Sequence, residues 1–424
     1  MATIADSETF AKEEPNSSRS ELLLLFAIFV LAVIARLVWR IYKGDQDFWT
    51  SGSTLFYELA TNLAAGRGIG LEEGDRAPCV PGYPLFLALL AGKNYLWIVL
   101  PQALLGAGTA WCAYWIGKEL FGRQVAVLAG FLTALYPFYV LNDTALQATG
   151  LFTFLTALSV FLLLRAKRAG SVMEWTLAGL MLGAAVLTSE TLLPFAALTL
   201  AWVVFAGEGT LHRKVDRLIA VLAPVCLLIG LWMARNYMAV GSPVITSSFG
   251  RQLWNANNPK TFTHYPEENL ERSADDALAS LTLEERQDLD GISDEVLKSD
   301  WFEDKAVDYI QAHPMEALTG AFRKIVTAFS WNLKPKQQPA VQIFYLLSYG
   351  PIAILGVAGM VLTRRRWKEH SLIYLLFFSF AAVTAVLWAE TRQRSYLDVY
   401  WIVFAAYVLH RLFGERHAAS SSRT

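Results

Sequence analysis

At 424 residues, with 54% hydrophobic content and a mean hydropathy of +0.36, the chain is too apolar for a soluble protein of its size. A formal net charge of -1, with no basic patch beyond short loop clusters, argues against a nucleic-acid partner. Cys112 and Cys226 fall in apolar runs and Cys79 in a loop, so the cysteines spell no disulfide framework.

Apolar runs near the length of about twenty residues that crosses a bilayer recur along the chain. They predict an all-α polytopic membrane protein with about ten transmembrane helices, over 21–42, 95–117, 123–141, 149–166, 174–188, 191–206, 217–238, 340–363, 371–389 and 395–413. The polar first twenty residues show no cleavage signal, so the first span is expected to be retained. Three parts follow: 1–238 with a first outer loop at 43–94, an extracytoplasmic region at 239–338, and 339–424 with a cytoplasmic, Ser-rich tail.

Four basic clusters fall on one side when spans are counted between them. They are Lys118 with Arg123; Arg165, Lys167 and Arg168; His212, Arg213, Lys214 and Arg217; and Arg364, Arg365, Arg366 and Lys368. Cytoplasmic loops are enriched in Lys and Arg, so both termini are expected inside a plasma (inner) membrane. Arg36, Arg40 and Lys43 run against this rule at the outer end of the first span. Either they snorkel or they bind an anionic lipid headgroup.

Polar residues gather on the opposite, outer side. First comes Gly44-Asp45-Gln46-Asp47-Phe48-Trp49, with two carboxylates just past the first span. An acid there avoids the cost of mid-bilayer charge and can serve as general base toward an acceptor hydroxyl or amine. The plain alternative for either is a solvated loop acid. Leu55, Phe56, Leu59 and Leu63 form a helical stripe read as an interfacial helix, and Pro81-Gly82-Tyr83-Pro84 follows. Asp143, Gln147, Ser189 and Glu190 sit at outer span ends, where capping competes with lining a cavity.

Arg235-Asn236-Tyr237 closes the seventh span; its guanidinium either holds a lipid phosphate or anchors the helix. Asn257 and Asn258 either meet sugar hydroxyls or build turns around Pro259. The acidic block after them is too poor in apolar residues for a large core of its own. Trp301, Phe302, Ala306, Tyr309 and Ile310 still predict a helix packed on the membrane part. Arg392-Gln393-Arg394 places positive charge between the last two spans, against the topology rule, which suits an anionic ligand. The six histidines show no zinc-ligand spacing, and no Gly-rich phosphate loop follows a strand.

In order and sidedness these residues resemble the polyprenyl-phosphate-sugar-dependent glycosyltransferases of the GT-C superfold, the group of the protein O-mannosyltransferases and aminoarabinose transferases. The carriers are Asp45 and Asp47, Tyr57 to Leu63 with Gly66 and Gly68, Pro81 to Leu85, Arg235 to Tyr237 with Gly241, Asn257 to Pro259, Ala306 to Pro314, and Arg392 to Arg394. The resemblance implies a polyprenyl-phosphate sugar donor, a first-loop Asp as base and basic residues at the donor phosphate. The chain departs from the family where the acid often stands nearer the Tyr57 segment: here are Ser53 and Thr54. It departs again where a Glu often opens the fourth span: here are Gln147, Ala148 and Thr149.

The expected activity is therefore inverting transfer of a sugar to a lipid, glycan or protein acceptor. Asp47, or else Asp45, is the expected base, and Arg235, Arg392 and Arg394 the phosphate ligands. Tyr83, Asn257, Asn258 and Glu190 are the expected substrate contacts. No cofactor is expected, with a divalent metal left open. A transporter or flippase of lipid-linked saccharides is the alternative, although the chain shows neither mid-membrane charge nor repeated broken helices clearly.

Overall fold

The computed structural model describes residues 17–45, 47–49, 54–71, 74–206, 209–388 and 390–421. Gln46, Ser53 and most of the polar N-terminal stretch lie outside them. The first part contains α1 (Ser17–Lys43), α2 (Thr54–Ala64), α3 (Gly82–Ala88), α4 (Tyr95–Phe121), α5 (Arg123–Leu135) and α6 (Pro137–Asn142). It continues through α7 (Thr149–Ala169), α8 (Val172–Val186), α9 (Leu193–Ala206) and α10 (Leu211–Val240). Residues 239–338 hold α11 (Phe249–Ala256), α12 (Leu270–Ala279), α13 (Leu283–Gly291), α14 (Glu295–Ala312) and α15 (Pro314–Ala328). Then come α16 (Pro339–Leu362), α17 (Trp367–Val386) and α18 (Asp398–Ser421).

Among the described residues, seven helices (α1, α4, α7, α10, α16, α17 and α18) are long and apolar enough to cross a membrane; α5, α8 and α9 are shorter apolar helices. The protein is multi-pass. The expected span 123–141 is split, because Pro137 has no N–H to continue the ladder and forces Tyr136 to an extended ψ of 114°. Leu22, Leu23, Phe26, Ile34 and Val38 leave one side of α1 exposed, the side suited to lipid tails, while Ile28 and Ala32 pack inward. Between helices, small residues allow close approach. A Cβ at Gly179 of α8 would stand 2.4 Å from the Val221 carbonyl of α10.

Two of the misfit cations turn inward, which corrects the choice between snorkelling and lipid binding. Arg36 is fully buried, and its Nε meets Asp143 Oδ2 at 2.8 Å while Nη1 donates to the Ala32 and Ala134 carbonyls. Arg40 donates to the Gly44 and Thr144 carbonyls and to Asp47. A charge inside a span survives when it is paired and hydrogen-bonded, and here the carboxylate partner of Arg36, Asp143, comes from the turn after α6.

The stripe on α2 faces the rest of the chain: Leu59 is buried against Ile69 and Trp232, with the half-buried Leu55 and Leu63 beside them. Residues 239–338 bury one small cluster, Leu253, Trp254, Ala277, Phe302 and Ala306, in keeping with their sparse apolar content. The basic loops come together at one end of the helices. There Lys167, Arg168, Arg213 and Arg217 line one concavity and Arg366 donates to the Leu120 carbonyl.

Candidate active site

At the other end, the segment after the first span is fastened down before it can form a wall. Gly82 N donates to the Leu187 carbonyl at 2.6 Å, so Pro81-Gly82 lies directly on the end of α8. Glu295 accepts from the Arg76 and Ala77 amides at 2.8 and 3.2 Å and from the Ser247 hydroxyl at 2.6 Å. Thr246 Oγ1 donates to the Pro78 carbonyl, and Ser247 N to that of Ala77. Between these ties Pro78, Cys79 and Val80 become one wall of a cavity of about 580 Å³.

The opposite wall comes from α11. Gly250 lies so close to α14 that a Cβ would fall 1.9 Å from the Ser299 carbonyl, and its amide donates to Ser299 Oγ at 3.0 Å. This contact presents Arg251 and Gln252 to the cavity. Glu190, Glu271, Gln393 and Trp388 add polar groups; Phe56, Phe152 and Tyr396 add rings. Glu190 starts the short 3-10 turn ahead of α9 and has no cationic partner among the described residues, while the exposed Arg251 stands 6.0 Å from the Phe302 ring with the Asp75 carboxyl near enough to feel its charge. Burial, with the nearby Glu190 charge adding to it, pushes the Cys79 thiol up to about 12, so it stays protonated. Among the described residues no three His, Cys, Asp or Glu side chains gather as a metal site.

Against this cavity lies an apolar groove of about 540 Å³, lined by Leu193, Pro194, Val244, Ile245, Phe249, Ala382 and Val386. Glu190, Thr191, Val383 and Leu387 line both spaces. A polar chamber thus adjoins a greasy channel, with a lone carboxylate at the join. Such a shape suits an amphiphile with a polar head and a hydrocarbon tail.

Of the nine residues expected as base, phosphate ligand or substrate contact, Glu190 alone lines this cavity, joined by Ser189 from the same outer span end. The other eight are not brought together around it. Asp47 is held by Arg40 at 2.7 Å; burial, the largest single influence, pushes its pKa up, but the hydrogen bond and charge of Arg40, with smaller help from Lys43, outweigh it and keep the carboxyl below its ordinary value. Asp45 is exposed in the turn beside it, where its carbonyl accepts from Phe48 N. Tyr83 is fully buried, donating to Gln102 Oε1 at 2.8 Å, so it anchors the loop instead of facing a ligand.

Arg235 donates to the Arg76 and Ile69 carbonyls and to Asn236 Oδ1, tying the first loop to α10. Asn257 is spent on the Leu253 and Val386 carbonyls and on Lys324 Nζ, and Asn258 on Trp254, Asn255 and the Lys260 amide. Arg394 is fully buried against Asp398 and lies 3.6 Å over the Tyr349 ring. Arg392, half-buried, reaches Gln147 Oε1 and Glu390, and its neighbour Gln393 is the one that faces the cavity. Arg251, Gln252, Glu271 and Trp388 escaped the sequence reading.

Residues 75–232 match the dolichyl-phosphate-mannose-protein mannosyltransferase family. The chain is 26% identical over 241 residues to the putative mannosyltransferase YkcB of Bacillus subtilis (strain 168), covering 55% of this chain and 34% of that protein. It is 29% identical over 165 residues to the putative mannosyltransferase YycA of the same organism, covering 38% and 23%. The chain thus spans about a third or less of the length of these curated relatives.

Its fold is similar to that of the archaeal oligosaccharyltransferase AglB from Archaeoglobus fulgidus, solved with an inhibitory peptide and a dolichol-phosphate. The TM-score is 0.56 at 14% identity, over 96% of this chain and 52% of that one. The apo form of the Archaeoglobus fulgidus oligosaccharyltransferase gives 0.57 at 17% identity, over 97% and 52%. By its helical architecture the chain is a multi-pass membrane protein, and its fold is similar to that of these oligosaccharyltransferases.

Proposed function

We propose that the protein transfers a sugar from a polyprenyl-phosphate donor to a hydroxyl or amine acceptor, with inversion, at the membrane face opposite its basic loops. The observation that carries this reading is the shared wall of the polar cavity and the apolar groove, with Glu190 at the join. The groove takes the polyprenyl tail and the cavity takes the phosphate and sugar. The putative mannosyltransferase relatives support a glycosyl donor, and the fold of a protein solved with dolichol-phosphate supports a lipid carrier.

In this mechanism Glu190 accepts the acceptor's proton as its oxygen or nitrogen bonds to the anomeric carbon. The bond from that carbon to the phosphate oxygen breaks, and the polyprenyl phosphate leaves with the electron pair. Arg251 stabilises the charge that develops on it, an electrostatic effect that is commonly the largest in such sites. The basic loops then face the cytoplasm, with both termini inside.

The test is to incubate the purified full chain with radiolabelled polyprenyl-phosphate hexoses and acceptor alcohols or amines. Transfer that is lost in Glu190→Gln but kept in the Asp45→Asn/Asp47→Asn double variant supports the assignment. Loss in the loop variant with full transfer in Glu190→Gln moves the base to the first loop. No transfer from any donor in the panel overturns the glycosyltransferase reading.

A further inference from the structure

The basic end of the molecule holds a concavity of about 600 Å³ that the transfer reaction does not use. It is built by elements remote in sequence: Glu119 at the end of α4, Lys167 and Arg168 at the end of α7, Arg213 and Arg217 at the start of α10, and Glu369 at the start of α17. Helix α7 also reaches the sugar-end cavity at Thr149, so the two spaces are about 27 Å apart along one helix.

Four cations face two carboxylates there, and both carboxylates are engaged. Glu119 pairs with Arg168 at 3.0 Å, and Glu369 with Arg366 at 2.6 Å. Lys167 and Arg213 are left with no carboxylate partner among the described residues. Lys167 Nζ stands 5.4 Å over the Trp202 ring and the Arg217 guanidinium 5.9 Å over Trp175, so ring faces fix the direction of both cations. A loop that served only to orient the chain needs positive charge but no such convergence. Guanidinium and ammonium groups gathered in a hollow at the water-facing end of membrane helices match a phosphate group.

We propose that this hollow binds a phosphate group, that of an anionic phospholipid headgroup, at the membrane surface opposite the transfer site. The site stands apart from the proposed glycosyl transfer and survives if that reading fails. The experiment measures binding of fluorescent phosphatidylglycerol and phosphatidylcholine to the purified full chain in neutral detergent, with inorganic phosphate as competitor.

Phosphatidylglycerol should bind at least about tenfold more tightly than phosphatidylcholine, and Lys167→Ala/Arg213→Ala should erase the difference. Should that double variant fail to fold, Arg213→Gln at an exposed position reads the same preference. Competition by inorganic phosphate at concentrations matching the lipid would show that the group recognised is a soluble phosphate instead of a headgroup. Equal binding of the two lipids to the wild type, or an unchanged preference in the variants, overturns the site.

Discussion

Gly82 sits against Thr188 so tightly that a Cβ would fall 2.5 Å from its Oγ1 and 2.6 Å from the Leu187 carbonyl. The Pro81-Gly82-Tyr83-Pro84 motif is therefore a docking element: it lays the first loop on the end of α8, two residues before Glu190. Gly82→Ala should lower the detergent-solubilised protein's stability by about 1–3 kcal/mol, the usual penalty of overpacking, and shift the Pro78–Val80 wall. Thermal unfolding and labelled-sugar transfer should fall together; a variant as stable and active as wild type would disprove the docking role.

Glu190→Gln keeps the shape of the side chain and removes the base. Transfer should drop by about a hundredfold or more, with the unfolding midpoint little changed. Arg251→Ala should also slow transfer while donor binding weakens, since its guanidinium lines the cavity and is locked in no salt bridge among the described residues. Single-turnover assays beside donor-binding measurements separate the two effects.

Arg394 and Asp398 form a fully buried pair, and Tyr136 donates to the same carboxylate at 3.0 Å. Removing one partner strands the other, so Arg394→Ala should destabilise by about 3–5 kcal/mol. Replacing both with apolar residues should recover much of that loss. A purely donor-binding role for Arg394 would instead leave the unfolding midpoint in place and raise KM alone.

Glu390 lies buried beside Gln393, and burial pushes its carboxyl up to about 7; Glu271 adds to the rise and Arg392 opposes it. Below the ordinary value of 4.5 the group is protonated whether the chain is folded or unfolded. As pH rises from there toward about 7, the unfolded chain loses the proton first, so stability declines through that window. Glu390→Gln should flatten the decline in a pH series of melting curves. An identical slope in the variant would remove Glu390 as its cause.

Arg235 ties the first loop to α10 through the Arg76 and Ile69 carbonyls. Arg235→Ala should loosen residues 69–76, seen as faster amide hydrogen exchange there, and reduce transfer indirectly. Unchanged exchange with weakened donor binding would return Arg235 to the phosphate-ligand role.

The helices were legible because membrane spans write themselves in composition: each needs about twenty apolar residues in a row, whatever surrounds it. Seven long and three shorter apolar helices lie where the ten segments were read, and Pro137 divides one of them. The gathering of the basic loops at one end follows from counting crossings.

The partners of the charged groups were not legible. Arg36 meets Asp143 107 positions away, Tyr136 meets Asp398 262 away, and Arg235 meets Arg76 159 away. A sequence shows that an arginine is out of place for its side of the membrane. It does not show whether a carboxylate from another helix reaches it first, because that depends on crossing geometry and on which glycines let backbones touch. Composition and periodicity thus decided that this is a many-helix membrane protein with one basic end. Only the packed chain decided that Arg36, Arg235 and Arg394 hold the fold together and that Glu190 and Arg251 are left facing open space.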